Sequence, residues 1–400
     1  MRRRTVILAL GPERRATRGI LQGIARFAAL HESWLFDIEP PFYERYPFCM
    51  RADHTERTLA RLRGTGADGI ITFILDDAMA RAIPRGFPAV VIPMADLVPG
   101  HCNVVDQPYA AARMAVEHLR ERGFTRFAFC GLDRSYWSRI RQESFAGQLA
   151  DDGLRVELYC PRLPARPRSW RMEQRRLAKW LKALPKPIGL MAFNDERALQ
   201  VAEACRLAEV VVPDEVAIVG VDNDEIICGL SNPPLSSIAL NFERAGYEAA
   251  EQLRRQMTGA APSAGEIPIR PTVVVARRST DVLAVEDMEI AEALRFIRNH
   301  AAEAITVTDV LKEIMVSRRV LERRFQEILG RGIRREIERC HVERSCHLLI
   351  DTHWPLQRVA EQCGFSSLTH FGIAFRRVMR LSPRQYRDEH AAAGPYNPPR

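Results

Sequence analysis

The stretch CGFSSLTHFGIAFRRVMRLSPRQYR, residues 363–387, places aromatic residues at helical spacing and crowds basic residues toward one end. Phe371 and Phe375 lie four apart, so they stack on one side of a helix. Between 365 and 387 stand Arg376, Arg377, Arg380, Arg384 and Arg387, five bases against no acid. Such a helix packs by its aromatic stripe and leaves a cationic remainder for a polyanion.

The same pattern occurs once more, 50 residues upstream. Laid over 367–379, residues 317–329 match Ser317 to Ser367, Leu321 to Phe371, Phe325 to Phe375, Ile328 to Val378 and Leu329 to Met379. Each copy follows a short amphipathic segment, Val307, Val310, Leu311 and Ile314 in the first and Leu356, Val359, Ala360 and Cys363 in the second. The repeat predicts two helix-turn-helix units, at about 304–329 and about 354–379. Gly364 suits the turn of the second, and Ser317 and Ser367 are expected as N-caps. Arg319 and Arg323 each precede a core residue by two positions, about 200° away around the helix, and so project outward. In the second copy Thr369, Ile373, Arg376 and Arg377 are outward or flanking. Residues 317–339 hold eight bases against four acids. Arginine forks match phosphate oxygens and the N7/O6 edge of guanine. An exposed arginine-rich bundle is the plainer reading of one such helix; two copies with the same split of core and outer face favour duplex DNA. The segment 333–349 predicts a rigid connecting helix of about 25 Å, which would set both units against successive major-groove segments about 34 Å apart.

Upstream, short apolar runs alternate with amphipathic stretches. Expected strands are 5–10, 69–73, 89–92, 126–130, 156–159, 188–192, 216–221 and 272–276; expected helices are 17–30, 54–63, 108–122, 139–151, 171–184, 194–208 and 242–258. This alternation predicts βαβ units and parallel sheets buried on both faces. It is long enough for two lobes, lobe 1 at about 1–121 and 236–262 and lobe 2 at about 122–235 and 263–280, within a ligand-binding domain over 1–282. Strands end at the composition shift RRSTDVLAVED, 277–287. An all-α DNA-binding domain is expected over 286–388, with the Pro-rich 391–400 as a disordered tail.

The net charge of +8 is compatible with a polyanionic partner. The N-terminal apolar run is too short for a secretory core, and no run of about 18 apolar residues predicts a membrane span, so a cytoplasmic location is expected. Nine cysteines without a C-x-x-C pair predict reduced thiols. Cys340, His341, Cys346 and His347 lack ordinary zinc-ligand spacing, and no motif asks for a cofactor.

Ligands of doubly wound sheets settle at strand ends and helix N-termini. The loops there are 11–19, 134–145, 193–198 and 220–225. They offer Asp195 and Asp222 as hydroxyl acceptors, Arg141 as a fork of donors and Trp137 as a flat apolar face, a set suited to a small polyol. An aspartate after a strand is more often an N-cap, and a tryptophan more often core; their order on successive strand ends strengthens the ligand reading. The loop after the first strand, GPERRATRG, has neither G-x-G-x-x-G nor G-x-x-x-x-G-K-[ST], so no enzyme is expected.

Residues 286–388, through SRRVLERRF, CGFSSLTHFGIAFRR and LSPRQYR, resemble the arabinose-regulator (AraC) type of DNA-binding domain. That resemblance puts base-reading positions on Arg319, Glu322 and Arg323, and on Leu368, Thr369, His370 and Ile373. Arg318, Ser366, Arg376 and Arg377 complete the candidate DNA surface. Ile373 stands where that family more usually has a polar residue and suits a thymine methyl. Residues 1–280, through FAFCG, W-x-x-x-R at Trp137 and Arg141, NDERA and VAIVGVDNDE, look like the type I periplasmic-binding-protein-like sugar domain of lac-repressor-type regulators. By that resemblance Arg141, Asp195 and Asp222 bind hydroxyls, with Asn194, Arg18 and Glu13 as further candidates. The pairing of the two domains is similar to the regulators of xylose operons. It implies D-xylose as effector, operator DNA and RNA polymerase as partners, a homodimer and an activator. In the first loop Ala16 and Thr17 replace the larger or acidic residues expected, which leaves another pentose, a hexose or a small polyol open, as is repression.

Overall fold

The computed structural model describes residues 3–390 except 12, 39–59, 61, 63, 65, 76, 85, 134, 162–169, 260–264, 283–286 and 315. The tail 391–400 lies outside the described residues, as does most of the helix expected at 54–63.

The N-terminal region contains β1 (Thr5–Ala9), α1 (Arg15–His31), β2 (Leu35–Ile38), β3 (Gly69–Ile74), α2 (Asp77–Ala82), β4 (Ala89–Pro93) and β5 (Cys102–Asp106). It continues through α3 (Pro108–Arg120), β6 (Phe127–Cys130), α4 (Tyr136–Ala150), β7 (Val156–Tyr159), α5 (Trp170–Ala183), β8 (Ile188–Ala192), α6 (Asp195–Ala208), β9 (Val216–Asp222) and α7 (Glu225–Leu230). Then come β10 (Ser236–Leu240), α8 (Phe242–Met257), β11 (Glu266–Ile269) and β12 (Pro271–Val275). Two sheets result, ordered β11-β5-β4-β3-β1-β2 and β12-β10-β9-β8-β6-β7. All pairings are parallel except β10 with β12. Central strands such as TVILA and IGLMA are buried along nearly their whole length because helices cover both faces of each sheet.

The lobe division differs from the expected one in three places. Helix α3 packs on α4 and on the second sheet, so the first crossing falls at 106–108 rather than near 122. Its apolar side, Ala111, Ala112, Ala115 and Leu119, is fully buried there. Strand β10 pairs with β9 in the second sheet rather than opening the return to lobe 1, which begins with α8. Strands β11 and β12, one residue apart, enter different sheets. The three crossings therefore lie side by side as a hinge. Lobe 1 is closed by α1 against α8, whose backbones touch: a Cβ on Gly246 would sit 2.1 Å from the Ile20 carbonyl oxygen.

The C-terminal region is all helical: α9 (Met288–Asn299), α10 (Val307–Glu313), α11 (Arg318–Leu329), α12 (Ile333–Asp351), α13 (Leu356–Gln362), α14 (Leu368–Met379) and α15 (Pro383–His390). Pairs α10/α11 and α13/α14 are the two helix-turn-helix units. The connecting helix α12 serves both, giving Ile333, Ile337 and Cys340 to the first core and Val342, Cys346 and Leu349 to the second. Leu321 and Phe325 in one unit and Phe371 and Phe375 in the other are fully buried. Burial of each such side chain contributes about 1.5–3 kcal/mol. Ser367 caps α14, accepting a bond from His370 N at 3.1 Å. Ser317 holds the equivalent position without a side-chain cap bond. Thr306 and Asp309 form the capping box of α10 instead.

The two regions are docked. Val273 of β12 joins the core of the second unit, and Tyr386 Oη donates to the Thr272 carbonyl at 2.5 Å. Arg339 of α12 reaches Glu121 beyond α3 at 2.5 Å.

Candidate functional site

Arg141 organises the junction between the lobes. Helix α4 starts beside the end of β6 with Ser135 as N-cap, which brings Arg141 inward at the second turn. The side chain is 4% exposed; its Nε donates to Asp106 Oδ2 at 2.5 Å and its Nη1 to the Phe193 carbonyl at 2.5 Å. Nη2 lies 3.6 Å from Asp222 Oδ1. Asp106 ends β5 of the first sheet and Arg141 belongs to the second lobe, so one guanidinium spans the gap. Burial alone would make Arg141 easier to deprotonate, but Asp106 and Asp222 outweigh it and raise its pKa. Asp106 Oδ1 is buried without a partner among the described residues.

Asp222 and Asn223 close β9 with φ of 103° and 51°, a conformation that costs energy for residues with a Cβ and recurs at ligand sites. Burial, opposed by Arg141, pushes the Asp222 carboxyl up to about 7. Asp195 is more enclosed, at 2% exposure. It accepts from Ser237 Oγ at 2.5 Å and from Asp224 N at 2.6 Å, and burial followed by the Asp222 charge pushes it up to about 8.

The residues expected around a ligand thus divide. Arg141 and Asp222 converge. Asn194 is the N-cap of α6, its oxygen accepting from Arg197 N at 2.9 Å, and Asp195 is engaged in bracing the turn after β9. Trp137 is half-buried and meets Tyr136 edge to face at 5.5 Å. Arg18 donates to the Glu13 carbonyl at 2.8 Å and pairs with Asp224 at 3.3 Å, tying the first loop across the cleft. Sequence reasoning missed Asp106, although it too is an aspartate at a strand end, because no strand is expected over 102–106. It also missed the pairs Arg14–Glu196 at 3.1 Å and Arg139–Asp96 at 2.5 Å. With Arg18–Asp224 and Arg141–Asp106 they make four ion pairs between the lobes among the described residues.

On the helical region, Arg318, Arg319 and Arg323 are exposed along one face of α11. Glu322 falls between Arg318 and Arg319 on the same side, with its carboxylate accepting from Ile333 N at 3.3 Å at the start of α12. Ser366, Leu368, Thr369, Ile373 and Arg376 are exposed on or beside α14. His370 leans inward against Phe365 at 5.7 Å, and Arg377 is bonded to Glu338 of α12 at 2.7 Å. Among the described residues no helix is long and apolar enough to cross a membrane.

A periplasmic binding protein-like domain matches residues 116–280, and a helix-turn-helix domain matches residues 310–389. A two-lobed ligand domain ahead of paired helix-turn-helix units defines a DNA-binding transcription regulator of the AraC type. The chain is 30% identical over 396 residues to the xylose operon regulatory protein of Escherichia coli (strain K12), covering 97% of each. To that of Haemophilus influenzae it is 32% identical over 296 residues, 73% of this chain and 76% of the relative. It is similar to the solved structure of the xylose-binding transcription activator xylR, with 28% identity, a TM-score of 0.59 and coverage of 98% of this chain and 100% of the other. The chain belongs to the family of xylose operon regulatory proteins.

Proposed function

We propose that the cleft binds D-xylose and that the bound sugar adjusts how the two helix-turn-helix units of a homodimer engage operator DNA, activating transcription through RNA polymerase. The observation that carries this is the span of Arg141, bonded to Asp106 of one lobe and within reach of Asp222 of the other. Sugar hydroxyls donate and accept at once, so they fit a guanidinium between two carboxylates, and the half-buried face of Trp137 suits sugar C–H groups. Arg18 and Glu13 edge the same opening. By exchanging its hydroxyls for part of the inter-lobe ion pairing, the sugar changes the angle at the hinge. Strand β12 leaves that hinge directly and carries Thr272 and Val273 into the second helix-turn-helix unit, which supplies a short mechanical route.

In this reading Arg319 and Arg323 meet bases or phosphates in the first half of the site. Thr369, Ile373 and Arg376 do so in the second. Catalysis has no part in it. Calorimetry with a panel of pentoses and hexoses tests the ligand: D-xylose gives heat with the parent chain and none with Arg141→Ala, while silence toward every pentose and hexose contradicts the reading.

A further inference from the structure

Glu338 lies on the connecting helix α12 with its side chain 9% exposed, between cations from two helices. Its Oε2 accepts from Arg377 Nη1 at 2.7 Å, and its Oε1 lies 3.6 Å from His370 Nε2. Arg334, one turn earlier on α12, approaches Oε1 to 3.4 Å and is itself exposed. His370 and Arg377 are seven residues apart on α14, two turns along one face. That face stands roughly 90° around the helix from the one bearing Thr369, Ile373 and Arg376. The buried stripe of Phe371 and Phe375 fixes which side of α14 faces the core. One enclosed carboxylate thus meets both ends of this flank, Arg377 through a hydrogen bond and His370 at the longer distance.

We propose that Glu338 is a positioning residue for DNA recognition: it clamps His370 and Arg377 to the connecting helix and so sets which side chains of α14 face the major groove. This rests on α14 being a recognition helix. An arginine beside the groove is ordinarily drawn to the nearest phosphate, a contact without sequence information. Held by Glu338, Arg377 is withheld from that contact, and the helix is seated by its scaffold rather than by the DNA backbone.

The test uses the full chain, an operator selected by the parent chain from a randomised duplex pool, and a mixed-sequence duplex, each titrated over a range of salt. In Glu338→Gln, Arg377 is released to phosphate. Affinity for the mixed duplex rises and the salt slope steepens by about one unit. Preference for the operator falls by about tenfold, the scale of one base contact. Adding Arg377→Ala returns the slope to the parent value. A folded Glu338→Gln chain with unchanged slope and preference overturns the proposal. In the parent chain on operator, nitrogen-detected NMR should find the Arg377 guanidinium rotationally restrained, and free rotation there overturns it without any Glu338 variant. Arg376→Ala separates the underlying reading. Unchanged operator affinity in that variant removes α14 as a recognition helix, whereas weakened affinity beside a silent Glu338→Gln removes only the clamp.

Discussion

Asp195 and Asp222 show how far a residue's role depends on what the fold closes over it. Ordinary carboxyls ionise near pH ~4, while burial pushes these two up to about 8 and about 7. The folded chain therefore keeps protons that the unfolded chain releases. The stability these groups contribute is complete below the ordinary carboxyl range and is lost as pH rises through about 7 to about 8. Asparagine at 195 reproduces a protonated carboxyl, since its oxygen still accepts from Asp224 N and its amide still faces Ser237 Oγ. Asp195→Asn is thus predicted to lose less melting temperature than the parent between about pH 5 and about pH 8.5, and equal losses contradict the assignment. On the DNA side, Arg323 is exposed and pairs with Glu327 one turn on, at 3.7 Å. Arg323→Ala is predicted to cost about 1–3 kcal/mol of specific DNA affinity, read by anisotropy titration, with sugar affinity unaltered. Arg141 and Asp222 were legible in the sequence because each follows a recognisable strand end. Asp106 and Glu338 were not: their partners Arg141 and Arg377 lie 35 and 39 residues away, and no local pattern reports such pairing.

At the scale of elements, the turn between α13 and α14 is the tightest point of the second unit. Gly364 has φ of 73°, and a Cβ there would sit 2.2 Å from the Glu303 carbonyl oxygen and 3.0 Å from His341. Gly364→Ala combines a left-handed penalty with a backbone clash, so a loss of about 1–3 kcal/mol in denaturant unfolding is predicted; an unchanged midpoint contradicts the packing described. This turn was readable from sequence, as were the two cores, because the 50-residue repeat aligned aromatic and aliphatic positions. The strands that escaped were 35–38, 102–106, 236–240 and 266–269. Three of them, LFDI, CNVVD and EIPI, carry an acid, an asparagine or a proline within the run, which breaks the apolar pattern of a strand. Strand β10 was hidden differently: it follows a proline-rich turn and precedes a helix of the other lobe, so its sheet is fixed by long-range pairing with β9 and β12.

Across the whole molecule, the hinge and the DNA-binding region are one connected body. Thr272 and Tyr386, 114 residues apart, share a hydrogen bond, and Glu121 and Arg339 share an ion pair. Glu336, fully buried beside them, would be raised by burial, yet Arg339 and Arg331 hold its carboxyl well below the ordinary range, so Glu336 stays ionised at neutral pH. Nothing in the sequence announced that docking, since the order of domains along a chain does not specify which faces meet. Coupling between cleft and DNA requires only about 1–3 kcal/mol, and by linkage it acts equally in both directions. The most direct measurement is the operator affinity of the full chain with and without saturating D-xylose. The account predicts a change of about 5- to 150-fold, matched by an equal change in sugar affinity when operator is present. Identical operator affinities in the two conditions, with calorimetry confirming that the sugar is bound, contradict it.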